Sequence, residues 1–170
     1  MARGKDYRVS PDSIDFFVSI MLRYPEIATV KYDPGRCWVR FTFILSEIVS
    51  ALEQAKFKEV LVKSLLTYYQ LEGQKDAEVD LAITMGDQIT LIEITRDVAS
   101  LNPNEIGIMV TLFRESFGQA AVVESSAGLE DDLPYQEEII RHTLENLKKD
   151  QLEKRLIALR EEGRVLVFNK

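Results

Sequence analysis

The chain has almost none of the residues that build covalent or metal-held frameworks. It contains one cysteine, Cys37, and one histidine, His142. An intrachain disulfide is therefore excluded, and a Cys/His metal set has no second ligand of either kind to draw on. Cys37, beside Trp38, reads as a packed thiol in a strand, and His142 as a solvated or partner-facing side chain of a charged helix. There is no apolar stretch of membrane-spanning length, and the basic residues of MARGKDYRVSPDS lead into no signal-like apolar run. Glycine-rich phosphate loops, a Walker lysine and a serine elbow are missing as well. With a single thiol and no targeting segment, a cytoplasmic protein is expected, without membrane contact.

What is there is ordinary globular material. The 170 residues carry a formal net charge of −7, which opposes an electrostatic grip on nucleic acid or anionic lipid. The length suits one domain with an appendage. Ser10-Pro11 and the stripe Ile14, Phe17, Val18 and Met21 predict a helix over 11–23. Ile27–Tyr32 and Cys37–Ile44 predict strands joined by the turn Asp33-Pro34-Gly35-Arg36. A second helix is expected from a cap at Ser46, and from Phe57 to Tyr69 helix is preferred over strand. Val79–Thr84 and Ile89–Thr95 form a second hairpin about Gly86-Asp87, followed by a helix that opens with Asn102-Pro103-Asn104-Glu105 and runs to Phe117. Ala120–Val123 reads as a short strand.

These elements predict an α+β fold in which two helix–hairpin units form a mainly antiparallel sheet packed on helices, with a helical C-terminal extension. The expected boundaries are a core over 1–124, a polar linker over 125–133, and a tail over 134–170 that holds a helix from Pro134 to Glu162 and a terminal strand near Arg164–Phe168. On the tail, Leu144, Leu147, Leu152, Leu156 and Leu159 are the expected partner-binding residues, because one face of so charged a helix needs apolar cover. The function expected first is a non-enzymatic interaction or assembly module, homo-oligomeric, needing no cofactor, with another protein as a second kind of partner.

A two-residue turn at Gly86-Asp87 would place Asp80 directly across from Glu93, two like charges that repel unless a cation or open water intervenes. The segment EVDLAITMGDQITLIEIT, with the helix and the AAVVES run that follow, resembles the PD-(D/E)xK nuclease family over residues 46–124. That resemblance implies a metal-dependent nuclease or an inactive relative of one, with Mg²⁺ held by Asp80 and Glu93, catalysis on nucleic acid in the active case, and a strand within 57–69. Thr95 stands where the family has its lysine, and no proline precedes Asp80; Arg96 or Lys75 would have to substitute. By element order alone the chain also looks like the type III secretion chaperone fold, whose members are dimeric modules that bind partner segments.

Overall fold

A computed structural model describes residues 11–74, 77–123, 133–149 and 155–169. The first helix, α1 (Pro11–Arg23), buries Phe16, Phe17, Ile20 and Met21, so the buried stripe is rotated from the expected one, of which Ile14 and Val18 are only half-buried. It leads into a hairpin of β1 (Thr29–Asp33) and β2 (Trp38–Leu45). Asp33 shapes that turn: its Oδ1 accepts from the backbone N–H of Gly35 at 2.9 Å and of Arg36 at 3.2 Å. Cys37 closes the turn at φ 55° and is exposed, so it is a turn residue and not the packed strand thiol the sequence suggested.

The second helix, α2 (Ala51–Leu71), is capped by Ser50, whose hydroxyl accepts from the Glu53 N–H at 3.2 Å. Ser46, the expected cap, instead donates to the carbonyl of Ala120 at 3.1 Å and fastens the loop ahead of the helix. Residues 57–69 are helical throughout, where a nuclease-like arrangement needs a strand. They bury Phe57, Leu61, Leu65 and Tyr69, one residue per turn.

Strands β3 (Val79–Met85) and β4 (Thr90–Asp97) follow, then α3 (Pro103–Phe117), opened by Asn102, whose side chain accepts from the Asn104 N–H at 2.9 Å, and ended at Gly118. Ala121 makes only an isolated bridge to Leu45. The last elements are α4 (Leu133–Lys149), β5 (Leu156–Glu161) and β6 (Arg164–Asn169).

Here the structure corrects two expectations. The tail helix does not reach Glu162: residues from Leu156 onward form a third hairpin, turned by Glu162 at φ 50° and Gly163 at φ 76°. Two consecutive left-handed residues are what a tight hairpin with right-twisting strands requires. The leucine spacing that imitated a helix is strand alternation, with Leu156 facing the core and Leu159 the opposite side. Nor is the tail an appendage. β5 pairs with β1, α4 packs on α1 and α3, and Ile140, Leu144, Leu147, Leu156 and Ala158 belong to the same core as Phe17 and Val30.

All strands join one six-stranded antiparallel sheet in the order β3-β4-β2-β1-β5-β6. Alternate residues (Val30, Tyr32, Val39, Phe41, Phe43, Ile92, Ile94, Leu156, Ala158) are buried beneath the helices, with Phe43 stacked against Phe113 at 4.6 Å and Phe17 facing Tyr32 at 6.1 Å. The residues between them face away from the helices. No described helix is long and apolar enough to cross a membrane.

Candidate functional site

The sheet face turned away from the helices is the natural place to look for a site, because no described helix covers it. Strand register fixes its layout. One row runs Asp80, Thr95, Arg40, Lys31, Ile157, Phe168 across all six strands, and the next runs Ala82, Glu93, Thr42, Thr29, Leu159, Leu166. The face is thus divided. The β3-β4-β2 half is polar and charged, and the β5–β6 half is apolar.

Arg40 organises the polar half. Its guanidinium lies 4.5 Å from the centre of the Trp38 ring, its Nε donates to Thr95 Oγ1 at 3.0 Å, and its Nη1 reaches Glu93 Oε2 at 3.4 Å. Planar stacking and a forked donor set let one arginine satisfy all three. Glu93 is therefore paired with a cation of the protein itself.

Asp80 and Glu93 are not directly opposite. Asp80 faces Thr95 and Glu93 faces Ala82, because the hairpin turns through a four-residue loop, with Met85 opposite Thr90, the Gly86 N–H bonded to the Ile89 carbonyl at 2.9 Å, and Gln88 at φ 64°. Gly86-Asp87 suits a two-residue turn with glycine first, but the chain places its left-handed residue at Gln88 and closes the longer loop instead. The resulting slip of two residues leaves every side chain on its expected face, since strand periodicity is two, and so the apolar alternation cannot reveal it. The two carboxylates stay on one face as diagonal neighbours. Among the described residues no group of three or more His, Cys, Asp or Glu side chains is placed to hold a metal ion.

Arg96 cannot stand in for the nuclease lysine. It lies on the covered face with 0% exposure, donating through Nε to Glu105 Oε1 at 2.8 Å and through Nη2 to the Ser100 hydroxyl at 2.9 Å, with the Tyr69 ring 4.5 Å away. Glu105, in the opening turn of α3, is itself fully buried. Burial pushes its carboxyl up, partly offset by Arg96 and by the Tyr69 hydroxyl. Burial opposes charge on Arg96, yet its bond to Glu105 and the surrounding negative groups keep it above the usual arginine value. The cluster ties β4, α2 and α3 together. Lys75 lies outside the described residues.

The expected partner-binding leucines scatter. Leu144, Leu147 and Leu156 are buried inside this chain, Leu159 is half-buried on the open face, and Leu152 lies outside the described residues. His142 is exposed on α4 with its Nε2 3.4 Å from the Asn146 amide. The residues missed as a group are Ile157, Leu166 and Phe168, which form the apolar half with Leu159. Glu162-Gly163 between two alternating apolar runs was the signal that marks them.

Comparison with known proteins adds nothing to this geometry: no protein-family model, no curated protein and no solved structure matches the chain.

Proposed function

We propose that the chain is a non-enzymatic interaction module that assembles as a homodimer through the outer edge of β6 and the apolar half of the open face. The observation that carries this reading is the character of that edge. Among the described residues β6 pairs only with β5, so one side of its backbone has no partner within the sheet they form, and between Arg164 and Asn169 it offers Val165, Leu166, Val167 and Phe168 without a charge or a proline. Edges that remain single are normally blunted by lysine, proline, a bulge or a covering element. Phe168 is 50% exposed, and Ile157, Leu159 and Leu166 adjoin it. Covering a large apolar side chain contributes about 1.5–3 kcal/mol.

A second copy suits the edge because it is self-complementary. A twofold antiparallel pairing centred on Leu166 sets Phe168 of each copy across from Arg164 of the other, joining two apolar half-faces under a ring–cation contact. It also extends the sheet to both protomers, the mode by which extended segments add to free edges. The polar half around Trp38 and Arg40 is left clear for a further protein partner.

Light scattering of the full-length chain is expected to give a dimer at micromolar concentration, and Phe168→Glu a monomer with unchanged circular dichroism. In a Cys37→Ser background, Leu166→Cys is expected to cross-link two copies on mild oxidation, since residues directly opposite in an antiparallel pair have Cα atoms about 4.5–5.5 Å apart, within disulfide reach. A wild-type monomer, or a Phe168→Glu dimer, contradicts the proposal.

A further inference from the structure

On the other side of the molecule, a cleft of about 420 Å³ opens between the end of α1, the outer face of α3 and the side of α4. Its volume lies within the range of about 300–1,000 Å³ typical of small-molecule sites. Three arginines reach it, one from each helix: Arg23, Arg114 and Arg141. Two of them are engaged. Arg23 Nη2 lies 3.4 Å from Glu137 Oε1, and Arg114 is bonded to Glu26. Arg141 is exposed and has no ion-pair or hydrogen-bond partner among the described residues. The cleft thus sets three guanidinium groups against two carboxylates in a chain whose overall charge is −7.

The floor is apolar and deliberately low. Ile108 and Leu112 line it, Tyr24 forms one wall with Arg23 over its ring at 5.0 Å, and Gly107 has no side chain to fill the space, a Cβ there lying 3.5 Å from the Tyr24 hydroxyl. Arg160 of β5 donates to the carbonyls of Tyr24 at 2.8 Å and Ile27 at 3.1 Å and fixes the chain where it leaves α1.

We infer that this cleft binds a small molecule bearing an oxyanion, phosphate or carboxylate, on an apolar body. Arg141 grips the oxyanion with Arg23 beside it, and the apolar body lies along Ile108 and Leu112 over Gly107. Guanidinium forks match both oxyanions through paired hydrogen bonds. The site is independent of β6, on the opposite side of the sheet, so it stands or falls separately from dimer formation.

The test is calorimetric titration and thermal unfolding of the full chain with phenyl phosphate and benzoate, which distinguish the two oxyanions, and with inorganic phosphate and phenol, which each lack one half of the ligand. Saturable binding and a raised melting temperature are expected with at least one of the first two and weaker effects with both of the second pair. Arg141→Ala, which breaks no ion pair or hydrogen bond among the described residues, is expected to weaken binding about tenfold or more, the loss of one charge-assisted hydrogen bond. Arg36→Ala, an exposed arginine of the first hairpin, is the control for bulk charge and is expected to leave binding unchanged. Failure of both phenyl phosphate and benzoate to saturate, equal binding by Arg141→Ala, or equal losses in the Arg141 and Arg36 variants would overturn the inference; inorganic phosphate binding as tightly as phenyl phosphate would remove the apolar body from it.

Discussion

Arg96 and Arg40 sit on adjacent strands of one sheet, each 4.5 Å from an aromatic ring and each paired with a glutamate, yet they lie on opposite faces. Arg96 is sealed under α2 and α3, and its partner Glu105 is equally buried. Arg40 and Glu93 are both partly open to water. The same chemical pair therefore has two different meanings. Under the helices an unpaired charge has nowhere to go, so each partner is indispensable to the other; on the open face water replaces either partner at little cost. A charged pair is a framework element on one side of this sheet and a tunable surface on the other.

Breaking the buried pair from one side is the sharpest challenge to that contrast. Glu105→Ala is expected to destabilise by about 3–5 kcal/mol because it removes the fully buried one of the two carboxylates that pair with Arg96, leaving only the partly exposed Asp97. Phe113→Ala, which removes the ring stacked on Phe43 in the same layer, is expected to cost a similar 3–5 kcal/mol or so. Urea unfolding measures both. Replacing the pair together, Arg96→Met with Glu105→Leu, is expected to cost far less than Glu105→Ala, since the charge and its partner leave as a unit. If the double variant is as unstable as the single one, then the Ser100, Asp97 and Tyr69 contacts of Arg96 matter more than the pair itself.

Asp97 gives the contrast a pH dependence. Burial alone raises its carboxyl, but the Ser100 hydroxyl, the Glu78 N–H and Arg96 together hold it below the usual aspartate value. A depressed folded pKa contributes stability that is present above the unfolded value of about 3.9 and is lost as pH falls through the folded one. Unfolding free energy measured from neutral pH into acid is expected to fall below about pH 4 in wild type, and Asp97→Asn is expected to flatten that limb.

On the open face the expected effects shrink. Arg40→Ala should cost between about 0 and 1 kcal/mol, the range for exposed ion pairs. Asp80→Asn should change stability by less than about 0.5 kcal/mol, as for a surface position, because Thr95 and not Glu93 faces it. Mg²⁺ is expected to leave the melting temperature of both wild type and Asp80→Asn unchanged. A metal-dependent rise seen in wild type and lost in Asp80→Asn would restore a paired-carboxylate site and undo the contrast.

The elements with strong local signals were readable without coordinates. The Asp33 turn, the Asn102-Pro103 start of α3 and the alternation of β4 each rest on chemistry contained within a few residues. Leu156 and Leu159 were misread because helix and strand periodicities coincide over so short an apolar run, and only pairing with β1 separates them. The Asp80–Glu93 pairing was misread for a related reason: a slip of two residues along a strand changes partners and leaves the inward and outward pattern intact.

What the sequence by itself determined is the α+β class, the two N-terminal helix–hairpin units and the apolar residues that make the core. These follow from spacing, caps and turn residues, which act locally. The third hairpin's place at the end of the sheet, the burial of Arg96 against Glu105, the exposure of Phe168 and the convergence of Arg23, Arg114 and Arg141 were decided by tertiary structure alone. Each joins residues far apart in the chain, and no local periodicity says which segments will meet once the sheet closes over its helices.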